Sequence, residues 1–300
     1  MNPVIRMDHV NKRFRKHIAL DDVSLEVPAG VVCALLGENG AGKTTTMRIL
    51  LGLADPDSGS TEVLGMNSRW EGQEIRRRIG YVPERPTLYD WMTIDEIGWF
   101  VAGFYGGRFL ENYQKLARGL GLELGQKIKE ISKGGRAKVC LALAQAHEPA
   151  LLLLDEPTSG LDPIVRHEFL ESMVDVAAAG RTVFLCSHQI AEVERVADCV
   201  AILRHGRLVL FESLDNLKAN TRELTVTMEN GKPLGAVPGT TLQRIDEGRQ
   251  SRLLVHGVGE EDISALRQQP GIQSLEAKVP SLEQIYVGYM HDPKPTRAEA

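Results

Sequence analysis

The eight residues Gly37-Glu38-Asn39-Gly40-Ala41-Gly42-Lys43-Thr44 constrain this chain more than any other stretch. They follow the continuous apolar run Val31–Leu36 and precede Thr45–Leu53, which has helical composition. A buried strand, a glycine-rich loop and a helix therefore come in immediate succession, and the fixed positions match G-x-x-x-x-G-K-[ST]. Small residues in such a loop let consecutive backbone N–H groups turn toward an anion, and the helix N-terminus adds favourable partial charge. Lys43 can then reach the β- and γ-oxygens of a bound nucleotide, and the Thr44 hydroxyl suits Mg²⁺. Gly37, Asn39, Gly40, Ala41, Gly42, Lys43 and Thr44, with Thr45 behind them, are the candidate nucleotide contacts.

A second element supplies what the loop lacks. Leu151–Leu154 is a four-leucine run ending in Asp155 and Glu156, the pattern of a central parallel strand whose C-terminal end faces a site. Asp155 is placed to hold Mg²⁺, and Glu156 to orient or accept a proton from an attacking water. Around this strand, Lys138–His147 reads as a helix with Pro149 beyond its end, Val165–Ala179 as a helix closed by Gly180, and Thr182–Cys186 as another buried strand. Strands alternating with helices up to about Phe211 predict an α/β sheet. Residues 1–65 read as short strands and turns, with Ile18–Val27 partly alternating. The stretch from Pro86 to about Gly125 is mostly helical, and Thr93-Ile94-Asp95-Glu96 fits a capping box at its start.

From Leu217 the texture changes to a small α+β pattern. Leu224–Met228 and Leu253–His256 read as strands, Asp262–Gln269 and Ser281–Met290 as helices, and residues 293–300 as a loose tail. A net charge of −5 gives no reason to expect a nucleic-acid partner, and Arg76-Arg77-Arg78 reads as a solvated helix face. The longest run of apolar residues and glycine, Ile97–Gly107, is about half of the roughly 20 residues a membrane-spanning helix needs. Met1–Lys16 has no continuous apolar segment, so no secretory signal is expected. Cys33, Cys140, Cys186 and Cys199 are widely spaced in apolar surroundings and read as reduced, buried thiols of a cytoplasmic protein.

Three further motifs narrow the class. Ile131-Ser132-Lys133-Gly134-Gly135-Arg136 lies upstream of the acidic pair, Ser159-Gly160-Leu161-Asp162 follows it, and Ser187-His188 ends the next strand. In order and spacing the five motifs resemble the ATPase subunit of ATP-binding-cassette (ABC) transporters, over about Val4–Phe211. The resemblance implies a P-loop NTPase with a parallel core sheet, an antiparallel β-subdomain and a helical subdomain near residues 86–135, the whole spanning residues 1–215. A small C-terminal α+β domain over 216–292 is implied by the similarity of Pro280–Tyr286 to the domain appended in the exporter branch. It also implies that Ser132, Gly134 and Gly135 grip the γ-phosphate bound to an opposite subunit, that Asp162 crosses the interface, and that His188 acts near the γ-phosphate. Phe14 falls where the family stacks a ring on adenine. Glu84, in Tyr81-Val82-Pro83-Glu84, takes the place of the family's Mg²⁺-sensing glutamine. Lys133 and Glu84 both look like the drug and lipid exporter branch, whereas Ala137 departs from the usual polar residue.

The cofactors implied are ATP and Mg²⁺, and the partners are membrane permease subunits on separate chains plus a second cassette, identical or paralogous. The chain is then expected on the inner face of the cell membrane, held there by the permease. Two rivals fit less well. A non-transport ABC ATPase acting on DNA or ribosomes usually carries tandem cassettes or long coiled-coil insertions, and no heptad run is present. A P-loop GTPase would need a guanine-reading Asn-Lys-x-Asp, which is missing. Nine of the sixteen aromatic residues fall between Tyr81 and Tyr113. Trp99–Tyr105 is apolar nearly all round its helix, more than a small subdomain can bury, so a permease helix is expected to anchor on Trp91, Trp99 or Tyr105.

Overall fold

The computed structural model describes residues 2–229 and 234–291. The chain parts into two compact units between Phe211 and Glu212, a few residues before the expected junction at 215. In the first unit, β1 (Ile5–Phe14), β2 (His17–Val27), β3 (Val32–Leu36), α1 (Lys43–Leu50), β4 (Ser58–Val63) and β5 (Met66–Asn67) come first. Strands β2, β1, β4 and β5 pair antiparallel in that order. Alternation along β1 turns Ile5, Met7 and Val10 into the core. These strands are longer than expected because β1 continues through register shifts, with His9 at φ 47° between its paired stretches.

Next come α2 (Gly72–Arg78), β6 (Ile79–Val82), α3 (Ile94–Tyr105), α4 (Phe109–Gly119) and α5 (Lys133–Gln145). They lead into β7 (Leu151–Asp155), α6 (Pro163–Ala178), β8 (Thr182–Ser187), α7 (Ile190–Val196), β9 (Cys199–Arg204) and β10 (Arg207–Ser213). The second sheet runs β10-β9-β3-β8-β7-β6, and β9, β3, β8, β7 and β6 pair parallel. Every residue of β3, β7 and β8 is buried, which explains their unbroken apolar sequences: a parallel strand covered on both faces has no polar side. Helix α5 begins five residues earlier than expected, at Lys133, because Ser132 caps it by accepting from the Gly135 N–H at 3.1 Å.

Helices α3, α4 and α5 share a core that includes Ile94, Ile97, Tyr113, Ile128 and Val139. Thr93 and Glu96 form the capping box, with bonds of 3.1 and 2.7 Å. Gly98 is required where it is, since a Cβ would enter the Tyr113 ring, whose hydroxyl donates to the Ile94 carbonyl at 2.7 Å. The basic run on α2 is not wholly a solvated face: Arg76 donates to the Leu51 carbonyl at 2.8 Å and pins the turn after α1.

The second unit holds α8 (Leu214–Ala219), β11 (Thr221–Met228), β12 (Thr240–Glu247), β13 (Gln250–His256), α9 (Glu260–Arg267), β14 (Ile272–Lys278) and α10 (Leu282–Met290). Its antiparallel sheet, ordered β12-β13-β11-β14, packs Leu224, Val226, Leu253 and Val255 against Ile263 and Leu266 of α9. The expected tail, 293–300, lies outside the described residues. All four cysteines are buried and unpaired. Among the described residues no helix is long and apolar enough to cross a membrane.

Candidate nucleotide-binding site

Four adjacent parallel strands deliver the chemistry to one edge of the sheet. In the order β3, β8, β7, β6, their C-terminal ends lead to the Gly37–Thr44 loop, to His188, to Asp155 and Glu156, and to Glu84. Ligands of open α/β sheets bind at such ends. A cleft of about 300 Å³ lies there, lined by Phe14, His17, Ala19, Glu38, Asn39, Gly40, Gly42, Lys43, Thr44, Thr45, Glu84, Glu156, Ser159 and His188.

The loop's geometry follows from its residues. Gly42 caps α1 at φ 116°, and a Cβ there would run into the Ala19 carbonyl, so only glycine fits. No side chain caps α1 and no acidic residue lies in its first turn, so its N-terminal N–H groups remain available to an anion. Lys43 is buried and donates to the Gly37 carbonyl at 2.6 Å and the Glu38 carbonyl at 3.3 Å.

Glu156 is held between two cations or potential cations. Its Oε1 lies 3.4 Å from Lys43 Nζ, and its Oε2 is hydrogen-bonded to His188 Nδ1 at 2.6 Å and accepts from the His188 N–H at 3.3 Å. Its backbone is strained, at φ 48° in the left-handed region, and its N–H donates to the Cys186 carbonyl at 3.0 Å. Such strain persists only where the surroundings enforce it, here from β8.

Asp155 is 2% exposed, and its Oδ1 has no hydrogen-bond partner. Burial pushes its carboxyl above the usual carboxylate range; a hydrogen bond from Thr44 opposes this, the Glu156 and Glu84 charges add to it, and Lys43 opposes it. An orphaned, buried, anionic oxygen beside a hydroxyl and another carboxylate fits a hard cation that takes oxygen ligands. Among the described residues there is no group of three or more His, Cys, Asp or Glu that could hold a metal ion.

A raised carboxyl pKa has a definite sign for stability. The folded state holds the Asp155 proton more tightly than the unfolded chain, so stability falls as pH rises through the carboxylate range. Asp155→Asn removes that charge. It is expected to raise the melting temperature measured without nucleotide by about 2–4 °C, roughly 1 kcal/mol, and to abolish the extra stabilisation given by MgATP. Melting curves with and without MgATP check this; a lower melting temperature without nucleotide would show that the buried charge is not a burden.

The structure brings Phe14, the loop, Thr45, Glu84, Glu156 and His188 to one cleft, with Asp155 behind it. Phe14 is 45% exposed rather than a core ring, and Lys12 Nζ lies 5.3 Å from its centroid. Gly37 and Ala41 shape the loop from beneath without lining the cleft. Ser132, Gly134, Gly135 and Asp162 are not brought to it: they sit at the N-terminal ends of α5 and α6, where Ser132 and Asp162 are helix caps. His17, Ala19, Glu38 and Ser159 line the cleft without having been picked from the sequence. The turn between Phe14 and His17, which pair in register, could have pointed to His17.

A parallel sheet with a glycine-rich phosphate loop leaving its central strand, and a strand-end acidic pair beside it, defines a P-loop nucleotide-binding protein. The family model described as "ABC transporter" matches residues 20–159. The "Nod factor export ATP-binding protein I" of Sinorhizobium fredii is 30% identical over 293 residues, covering 94% of this chain and 84% of that protein. The "Probable multidrug ABC transporter ATP-binding protein YbhF" of Escherichia coli is 34% identical over 234 residues, 75% of this chain, which spans only 40% of that relative's length. A solved ATP-binding subunit of an ABC transporter superposes with a TM-score of 0.66 at 32% identity, over 71% of this chain and 91% of that one. The chain belongs to the ABC transporter family.

Proposed function

We propose that the chain binds MgATP in the strand-end cleft, closes head-to-tail on a second cassette, and hydrolyses ATP to power transport through membrane permease subunits on other chains. The observation that carries this reading is the convergence of Lys43, Glu156 and His188 within contact distance on adjacent strand ends, beside the orphaned Asp155 oxygen. Phe14 stacks the adenine ring, the loop from Gly37 to Thr45 wraps the phosphates, and Lys43 neutralises the β- and γ-oxygens. Thr44, Asp155 and Glu84 would hold Mg²⁺, whose chemistry there is to offset charge on the phosphates. Glu156 orients the attacking water and takes its proton, and His188 donates to the γ-phosphate. Ser132, Gly134, Gly135 and Asp162, at the N-terminal ends of α5 and α6, serve the site of the opposite cassette, as the family's motif order implies. Export is the direction favoured, because a relative matching 94% of the chain is an export protein by name. The chain then works in the cytoplasm, peripheral to the membrane.

The permease docks on the helical subdomain in this reading. Phe109 and Tyr113 are buried, but Trp91, Trp99 and Phe104 are each about two-thirds exposed or more. Tyr105 is committed to stacking on His147 and Phe109, at 4.4 and 4.9 Å between ring centroids. Trp91 and Trp99 are therefore better anchors than Tyr105, and Trp99 is the one carried on α3 itself. Trp99→Ala is expected to weaken permease binding by about 2 kcal/mol and to spare the basal ATPase of the isolated chain. The test is affinity capture from detergent-solubilised membranes. A polytopic membrane protein retained by the wild type and lost with Trp99→Ala supports the reading; recovery of ribosomes or DNA instead would replace it with the non-transport alternative.

A further inference from the structure

Glu192 on α7 ties together two segments that carry different parts of the proposed chemistry. Its Oε1 takes the Arg166 guanidinium at 2.7 Å, and its Oε2 accepts from the Thr158 hydroxyl at 3.1 Å. Arg166, in the first turn of α6, also donates through Nη2 to the Leu161 carbonyl at 2.9 Å. Its backbone N–H donates to the Asp162 carbonyl at 3.0 Å. Thr158 and Leu161 are 3% and 5% exposed, so these contacts grip the segment from Glu156 to Asp162 at two buried points. The same carboxylate sits one turn after His188, on the helix that leaves the β8 strand end.

An exposed ion pair would contribute little. Here the side chains are only 28% and 16% exposed, and Arg166 Nε is buried with no partner. The guanidinium leaves one donor unsatisfied while reaching Glu192 and Leu161 together. Removing either member would strand the other's charge in a largely dry site.

We propose that Arg166 and Glu192 are positioning residues that lock the Glu156–Asp162 segment to the His188 strand end, so that a displacement of Asp162 by the second cassette reaches Glu156 and His188 of the same chain. This rests on the two-cassette reading above. Neither residue touches nucleotide; each acts through the groups it holds, and a misplacement of about 1 Å at a reacting group costs on the order of 100-fold in rate.

Two measurements on the full chain test it. In hydrogen exchange, Arg166→Met and Glu192→Gln should speed exchange in residues 157–162 and 188–193 together, by about tenfold or more; loosening of one segment alone, or of neither, overturns the lock. In MgATP turnover, Arg166→Met should lower kcat by about tenfold to 100-fold with KM within about twofold, and Arg166→Lys should recover most of it. Combined with Asp162→Ala, Arg166→Met should add almost nothing, because both cut one route. Losses that simply multiply would make the pair a structural brace and overturn the proposal. A wild-type chain without MgATP turnover would instead sink the ATPase reading, and the exchange result would still decide the lock.

Discussion

Glu156→Gln is expected to lower steady-state ATP turnover by roughly 100- to 10,000-fold, the range a general base contributes, while MgATP binding stays near that of the wild type. The amide has the shape of the carboxylate but can neither accept a proton nor balance the charge of Lys43, 3.4 Å from one oxygen, while the other oxygen lies 2.6 Å from His188 Nδ1. Binding survives because the Lys43 ammonium, the N–H groups opening α1, Thr44 and Asp155 are untouched. It should if anything tighten, since an anion is removed from beside the incoming γ-phosphate. With hydrolysis stopped, ATP keeps two cassettes together, so the variant should run as a dimer with MgATP and as a monomer with MgADP. Phosphate release and size-exclusion chromatography measure the two halves of this expectation. Turnover close to the wild type would take Glu156 out of the mechanism.

The cleft was largely legible in the sequence because its parts are local. Buried parallel strands are apolar throughout, so their ends are sharp, and a glycine loop or an acidic pair just beyond an end has few readings. What was hidden depends on pairing between distant segments. His17 and Ala19 reach the cleft from β2, in the antiparallel sheet, and only the turn that pairs His17 with Phe14 hints at it. Four-residue β6 follows three arginines and has too few positions for a pattern to emerge. Strand β12 has no buried residue along its length, so it lacks the apolar run Leu253–Val255 that marked β13. Arg166 and Glu192 read as ordinary helix-surface charges, and only the packing of α6 against α7 shows that each is the other's partner. Ser132 and Asp162 were visible only through the motifs around them, and helix caps are all that one chain makes of them.

Substitutions at the loop lysine and at the α5 cap separate a site made by one chain from a site shared by two. In a single chain the Ser132 hydroxyl is committed to the Gly135 N–H, and Asp162 Oδ1 accepts from the Ile164 and Val165 N–H groups, so neither faces the chain's own cleft. Lys43, by contrast, is part of it. Lys43→Ala should therefore weaken MgATP binding to the monomer by about 2–3 kcal/mol, the loss of a charged hydrogen-bond donor on the phosphates. Ser132→Arg should leave monomer binding within about twofold, yet block ATP-driven pairing by placing a bulky cation at the interface. Each variant alone should be nearly inactive. Mixed, they should recover turnover, because a dimer of the two joins the intact Lys43 loop of one chain to the intact Ser132 loop of the other. The wild type should lose specific activity on dilution, as pairing fails. Specific activity that holds constant down to dilutions where no dimer survives, or a Ser132→Arg chain that turns over ATP like the wild type, would mean that each chain hydrolyses ATP alone.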